Sequence, residues 1–479
     1  MNEQTVWSLA GHDPFSGAGI HADIRTAAGL GVTLRTLLTS LTAQNDRALI
    51  RAEALDVSWL KDQWDALRAM EKPAAIKVGL LLKSETVRWL SDTIDSDIPM
   101  IVDPVFAASS GGSFFEPGLL ENLREFLFKR IDLLTPNRPE AEAIVGFPIR
   151  TLADLQKAAV AIRGQGVKAV YIKGGHGDGD ELIDYFDDGL KPFILRSRRF
   201  PGDFRGTGCT LSTAIAAGIA QGLDLRDASV AAHAYVHAAI GEAFAKNTNH
   251  LSAVAHTPAL QPLSYDDAMT GKAFAPLTRS LGFYPVLPNV EWIARLAGSG
   301  VKTLQLRAKD QGGSALKDSV LRAKSLCEAN DISLFVNDAW ELAIECQVYG
   351  VHLGQEDLDA LSLADLDRIR ISGLRLGIST HSLEEAARAL SLQPSYIALG
   401  PVFETTCKSM RFGPQGISRV GEWVKRLPNI PVVAIGGLKL EHTAAIHLEG
   451  ADSIAVISDL THSDNPEQRM NEWLKAWGA

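Results

Sequence analysis

The sequence predicts two α/β domains in tandem, an open sheet of parallel strands followed by a (β/α)8 barrel. Three observations carry this. The 479-residue length exceeds what one hydrophobic core normally supports. In the first half, short apolar runs alternate with helical patterns and close on polar residues, as in a parallel sheet covered by helices. In the second half eight apolar runs recur at even spacing, and eight β-α repeats in about 200 residues close into a small TIM barrel.

Composition narrows the function. The chain is 46% hydrophobic and 22% charged, and its net charge of −10 argues against a general nucleic-acid or anionic-membrane binder. Met1-Asn2-Glu3-Gln4 puts no basic region before an apolar run, so no signal peptide is expected. No window reaches the ~18 uninterrupted apolar residues of a membrane span. Cys209, Cys327, Cys346 and Cys407 form no CxxC pair, which suggests a reducing compartment and a cytoplasmic location. A homo-oligomer stays open.

Val6 to Ala10 reads as a strand running into Gly11-His12-Asp13-Pro14, and Ser16 to Asp23 as a small-residue loop before a helix over Ala22 to Leu30. Leu37 to Ala43 ends in Gln44-Asn45. Ile76 to Gly79 is a strand, and Pro99 to Val102 closes on Asp103. Ile131 to Leu134 closes on Thr135 to Glu140, and Ala169 to Ile172 closes on Lys173-Gly174-Gly175-His176, with a helix over Leu152 to Gly164 between them. Ligands of open α/β sheets bind at the carboxyl ends of strands, so Asp13, Gln44, Asp103, Asn137, Glu140 and Lys173 should share one crevice. Singly, Asp103 and Asn137 read as helix caps and Lys173 as a solvated charge.

Gly202 to Ala214 changes that balance. Gly206 and Gly208 let the backbone approach a ligand, and Ala214 to Gly222 reads as the helix that follows. Unpaired N–H groups and the positive end of a helix dipole then face one point, which makes an anion site. Asp203 or Cys209 would serve as a base beside the anion. The spacing is not a Walker loop. Carboxylates with amide or amine donors near an anion hole suit Mg-assisted phosphoryl transfer.

Seven motifs in this half, over about residues 1–245, resemble the hydroxymethylpyrimidine/phosphomethylpyrimidine kinase family of the ribokinase-like fold. They are Ala10-Gly11-His12-Asp13-Pro14, Gly17-Ala18-Gly19-Ile20, Leu41-Thr42-Ala43-Gln44-Asn45, Val102-Asp103-Pro104-Val105, Thr135-Pro136-Asn137-Arg138-Pro139-Glu140, Lys173-Gly174-Gly175-His176 and Gly206-Thr207-Gly208-Cys209. The resemblance implies a three-layer α/β/α domain that phosphorylates the pyrimidine alcohol and its monophosphate from ATP. It implies that Cys209 replaces the usual catalytic base and that Gly206, Thr207, Gly208 and Cys209 form the anion hole. Gln44 and Asp23 would hold the pyrimidine, Asp103, Asn137 and Glu140 would serve Mg-ATP, and Lys173 would sit over the phosphates. Cys209 at a helix N-terminus is expected to have thiolate character. His12, Phe15 and Arg205 depart from the usual pattern and touch substrate preference.

Residues 246–280 lose periodicity and read as a connector, leaving 281–479 for the barrel. Its strands are expected at Phe283–Leu287, Thr303–Leu306, Ser333–Val336, Val351–Leu353, Leu374–Ile378, Tyr396–Leu399, Val432–Ile435 and Ile454–Ile457. At their carboxyl ends, Arg307, Lys309 and Lys408 suit a phosphate or pyrophosphate. Asp338 and Asp357 offer hard oxygens for Mg²⁺. Gly436-Gly437 and Ser458 follow strands seven and eight, the usual barrel phosphate site.

This half resembles thiamine-phosphate synthase through Gln305-Leu306-Arg307-Ala308-Lys309, Val336-Asn337-Asp338, Val351-His352-Leu353-Gly354-Gln355-Glu356-Asp357, Gly377-Ile378-Ser379-Thr380-His381, Gly400-Pro401-Val402-Phe403 and Ala434-Ile435-Gly436-Gly437. The resemblance implies that Gln305, Leu306, Arg307, Ala308, Lys309, Asn337, Ser379 and Lys408 bind hydroxymethylpyrimidine diphosphate. Asp338 and Asp357 would bind Mg²⁺, and Thr405, Thr406, Cys407, Gly437, Ile457 and Ser458 the thiazole phosphate. Cys407 departs from the family's second threonine and is a weaker hydrogen-bond partner. The expected whole is a bifunctional thiamine-biosynthesis enzyme whose partners are small molecules. Its rivals are a pyridoxal-type kinase fused to an unrelated barrel, and a domain that binds without turnover.

Overall fold

The computed structural model describes residues 4–45, 47–106, 116–175, 179–265, 272–405 and 413–478. It divides into two compact units, Met1–Asp267 and Ala268–Ala479. Thr406, Cys407 and Lys408 lie outside the described residues, as does His176.

The first unit is built on a ten-stranded sheet. Its strands in chain order are β1 Thr5–His12, β2 Thr33–Gln44, β3 Leu49–Ala54, β4 Ala75–Val78, β5 Met100–Val102, β6 Leu133–Leu134, β7 Ala169–Ile172, β8 Glu181–Asp187, β9 Phe193–Arg198 and β10 Leu263–Ser264. In space the order is β10-β9-β8-β7-β6-β5-β4-β1-β2-β3. The run from β2 through β1, β4, β5 and β6 to β7 is parallel, while β3 and the β8–β10 edge are antiparallel. The parallel strands are apolar because helices cover both faces: Trp7, Leu9, Ile76, Val78, Met100 and Ile101 have no exposed surface. Trp64 meets Trp7 edge-on at 5.0 Å and Trp89 at 6.0 Å, locking the Val57–Arg68 helix to β1. Beyond residue 246 the chain is held by a hydrogen bond of 3.0 Å from the Val254 amide to the Tyr235 hydroxyl, then by β10.

The second unit is a closed parallel barrel of β11 Gly282–Leu287, β12 Thr303–Leu306, β13 Ser333–Asn337, β14 Gly350–Leu353, β15 Arg375–Thr380, β16 Tyr396–Leu399, β17 Val432–Ile435 and β18 Ser453–Val456. Ser453 to Val456 pair with Gly282 to Pro285 and complete the ring. Its interior holds aromatic rings where neighbouring strands carry glycine: a Cβ on Gly350 would lie 2.4 Å from the Phe335 ring, and one on Gly377 2.1 Å from the Tyr396 ring. The strands fall within a residue or two of their expected positions. The helices Gln355–Ala360, Leu363–Ile371 and Pro466–Trp477 are additional. The first two bury only Leu358, and Leu366 with Ile369, which weakens the apolar period, whereas Pro466, Met470, Trp473 and Trp477 repeat at helical spacing along one buried face of the third.

Candidate active sites

In the first unit the carboxyl ends of β1, β2, β5 and β7 and the start of the Thr207–Ala220 helix surround a cavity of about 800 Å³. Gln44, Asp103, Asn137, Glu140, Lys173 and the run Gly206 to Cys209 all line it, as does Asp203. The helix begins seven residues before the expected Ala214, so the glycine run is its first turn rather than a loop ahead of it. Gly206 caps it at φ +77, and a Cβ there would fall 2.2 Å from the Gly17 carbonyl oxygen. The first amides of the helix therefore have no intrahelical acceptor and face the cavity.

Lys173 Nζ donates to Asp103 Oδ1 at 2.6 Å and lies 4.0 Å from Glu140. Burial opposes its charge, but Asp103 and Glu140 outweigh burial and raise its pKa. Burial likewise raises Glu140, with Lys173 opposing. Asn137 and Glu140 also form a capping box, Glu140 N to Asn137 Oδ1 at 2.9 Å and Asn137 N to Glu140 Oε2 at 2.7 Å, which anchors both at the cavity edge. Gly208 has no side chain because a Cβ there would lie 2.9 Å from Lys173 Nζ.

Two expectations need correction. Asp23 does not reach the cavity: it is fully buried, its oxygens accept from Ser8 Oγ at 2.6 Å and Thr213 Oγ1 at 2.8 Å, and Lys77 Nζ binds both at 2.8 and 3.0 Å. Its carboxylate is consumed internally. Cys209 lacks thiolate character, because burial pushes its thiol up to about 11, ahead of the opposing pull of Lys77. Desolvation of the anion outweighs the helix N-terminus.

In the barrel, Asp338 follows β13 at φ +63, a conformation costly for a residue with a Cβ. Its carboxyl is pushed up by burial and then by Asp357, with which it shares a hydrogen bond, while Lys309 and Arg307 pull the other way. Two carboxylates therefore meet at the mouth beside two cations. Asp357 also accepts from the Gly354 amide at 2.8 Å. Gln305 and His352 are buried beneath that mouth, and Ser379 is linked to His352 Nε2 at 2.7 Å. Thr405, Gly437 and Ser458 line a second hollow of about 670 Å³ with Lys439 and Arg469. Leu306 is corrected as a ligand contact: it is 1% exposed and, next to Gln305 on a strand, points to the opposite face. Ile457 is half-buried against the barrel core.

Residues 13–253, about half of the chain, match the family model described as phosphomethylpyrimidine kinase, and residues 285–460 match that of thiamine monophosphate synthase. Among curated proteins, the thiamine-phosphate synthase of Neisseria meningitidis serogroup B is 45% identical over 204 residues, 43% of this chain and 98% of the relative. That of Cronobacter sakazakii is 50% identical over 190 residues, 40% of this chain and 89% of its own length. Among solved structures, phosphomethylpyrimidine kinase from Clostridium difficile is 30% identical over 49% of this chain and 99% of that one, at a TM-score of 0.44. The chain belongs to both families. It carries a hydroxymethylpyrimidine/phosphomethylpyrimidine kinase of ribokinase-like fold followed by a thiamine-phosphate synthase barrel.

Sequence reasoning missed several groups in both units. In the kinase, Lys77 lines the cavity and has no exposed surface; the signal was a charge inside a central strand. Also in the kinase, Tyr171, Asp184 and His233 form a buried cluster, with Tyr171 Oη donating to Asp184 at 2.7 Å and His233 Nδ1 at 2.9 Å from it. In the synthase, Tyr284 and Tyr396 lie inside the barrel, where periodicity shows only apolar strands. Among the described residues no helix is long and apolar enough to cross a membrane.

Proposed function

We propose that the amides of Gly206 to Cys209 hold the phosphoryl group in transfer while Lys173, beside them, offsets its charge. The shared cavity carries this reading, since it brings the helix N-terminus, Lys173 and Gln44 within one enclosure. Gln44 orients the pyrimidine, and Asp103, Asn137 and Glu140 face Mg-ATP. The buried carboxylates of Asp103 and Glu140 and the half-buried Asn137 amide fit a Mg²⁺-nucleotide, whose metal would neutralise the transferred charge when bound. Because burial keeps Cys209 a thiol, only its ionised fraction takes the proton of the pyrimidine alcohol as the alcohol oxygen attacks the γ-phosphorus of ATP and the bond to the β-phosphate oxygen breaks, releasing ADP. Lys77, held by Asp23, is the counter-charge that favours that fraction.

In the synthase, Gln305, Arg307, Lys309, Asn337, Ser379 and Lys408 hold the pyrimidine diphosphate, and Thr405, Gly437 and Ser458 the thiazole phosphate. Asp338 and Asp357 fit Mg²⁺, because burial and the neighbouring Asp357 carboxylate push the Asp338 carboxyl up, a cost that a cation between the two would relieve. Mg²⁺ bound there would stabilise the departing pyrophosphate. Arg307 and Lys309 act in the same sense as the pyrimidine methylene bond to oxygen breaks and the thiazole nitrogen takes its place.

The two phosphorylations separate the roles of Cys209. An alcohol must lose a proton, whereas a phosphate monoester near pH 7 is already ionised, with a second pKa of about 6. Cys209→Ala should therefore lose pyrimidine-alcohol phosphorylation by about a hundredfold or more and retain most monophosphate phosphorylation. Equal loss of both would make Cys209 an anion-hole member instead. In a single tube with pyrimidine alcohol, thiazole phosphate and Mg-ATP, Asp338→Ala should accumulate pyrimidine diphosphate without thiamine phosphate. Preference for pyridoxal over the pyrimidine alcohol would overturn the substrate assignment.

A further inference from the structure

Five buried or half-buried groups run in an unbroken hydrogen-bonded line through the interior of the barrel. Gln305 Nε2 donates to the Tyr284 hydroxyl at 3.0 Å, and the Tyr284 and Tyr396 hydroxyls are 3.0 Å apart. The Tyr396 hydroxyl lies 2.7 Å from His352 Nδ1, and His352 Nε2 lies 2.7 Å from Ser379 Oγ. Tyr284, Tyr396, Gln305 and His352 are each at most 6% exposed, so a polar atom left without a partner in this line is costly. Ser379 has its backbone oxygen fixed separately by Gln355 Nε2 at 2.8 Å.

Such a line has a direction. Because Gln305 donates to Tyr284, the Tyr284 proton goes to Tyr396, and the Tyr396 proton goes to His352 Nδ1. The opposite order, with the proton on Nδ1, needs the Gln305 amide to turn its oxygen onto Tyr284, since otherwise the Tyr284 proton is buried without an acceptor, so the two ends of the line reverse together. With the amide nitrogen on Tyr284, His352 is the Nε2–H tautomer, it donates to Ser379 Oγ, and the Ser379 proton is turned away from the histidine. At the other end, Gln305 keeps its carbonyl oxygen on the arm that does not face Tyr284.

We propose that the Tyr284–Tyr396–His352 line is a positioning device that sets the polarity of the synthase site, presenting an acceptor at Gln305 and a donor at Ser379. That pattern complements an aminopyrimidine, which offers an amine N–H and a ring-nitrogen lone pair. It opposes the oxo analogue, which offers a carbonyl and a ring N–H. The proposal rests on the reading that Gln305 and Ser379 contact the pyrimidine. Its selectivity resides in residues that do not touch the ligand.

Two measurements test it. In the full-length protein labelled with ¹⁵N-histidine, the His352 resonances, assigned by their loss in His352→Gln, should show a pyrrole-type Nε2 and a pyridine-type Nδ1. The reverse tautomer overturns the direction, whatever the activity. Tyr396→Phe keeps the ring and removes the proton that sets the tautomer. Its KM for the aminopyrimidine diphosphate should rise about tenfold, with kcat little changed, and its preference over the oxo diphosphate should fall by a similar factor. In a Ser379→Ala background the same substitution should add nothing. An unchanged preference, or full additivity with Ser379→Ala, overturns the proposal. If Ser379→Ala and Gln305→Ala leave KM untouched while the tautomer is as stated, the ligand assignment has failed rather than the line.

Discussion

The kinase cavity and the barrel interior solve the same problem, holding polar groups out of water, in opposite ways. Around the kinase cavity the groups are ionic: Lys77 with Asp23, Lys173 with Asp103 and Glu140. Inside the barrel they are neutral: two phenols, an amide, an imidazole and a hydroxyl. An open sheet gathers its site from strand ends and a helix N-terminus, where charge is needed against a transferring phosphoryl group. A closed barrel has a core that must be filled as well as polar, and aromatic hydroxyls do both. Charge in the synthase is confined to the mouth, at Arg307, Lys309, Asp338 and Asp357.

If that contrast is right, the largest effects come from removing charge where phosphate is handled. Lys173→Ala should reduce kinase turnover by about a hundredfold to a thousandfold and leave thiamine-phosphate formation from supplied diphosphate intact; Arg307→Ala should do the converse. Parallel loss of both activities in either variant would break the comparison. Next is stability. Lys77→Met strands Asp23 as a buried, unpaired charge and should cost about 3–5 kcal/mol by denaturant titration. Adding Asp23→Leu should restore much of it. Tyr396→Phe, which leaves the neutral Tyr284 hydroxyl and His352 Nδ1 without a partner, should cost about 1–3 kcal/mol.

Gly377→Ala tests the barrel's packing. Its new methyl would meet the Tyr396 ring at 2.1 Å, so the unit should lose about 1–3 kcal/mol, together with the His352 tautomer. A normal melting temperature and tautomer would mean that Tyr396 has another place to go. The last effect concerns pH. Burial, then His233, lowers His237 in the kinase from 6.5 to about 4. A depressed pKa means that its contribution to stability is present above 6.5 and is lost as pH falls toward 4. Melting temperature against pH should show that slope in the wild type and a flatter one in His237→Phe; identical slopes would remove His237 as the cause.

The sequence by itself determined a good deal here. Strand positions, the eight-fold repeat, the glycine-led helix N-terminus and the motifs of both families are local features, because apolar period and glycine punctuation act over a few residues. Placing Gln44, Asp103, Asn137, Glu140 and Lys173 at one crevice needed only the rule that strand ends of a parallel sheet share an edge. Tertiary structure alone decided what those residues can do. The same Asp23 that reads as a ligand beside a glycine loop is spent on Lys77, Ser8 and Thr213, residues 54, 15 and 190 positions away. The same Cys209 that a helix N-terminus would ionise is kept a thiol by burial. Tyr284 and Tyr396, 112 positions apart, read as apolar strand residues until barrel closure brings their hydroxyls to 3.0 Å. Protonation and hydrogen-bond direction depend on desolvation and on partners distant in the chain, and neither has a local period.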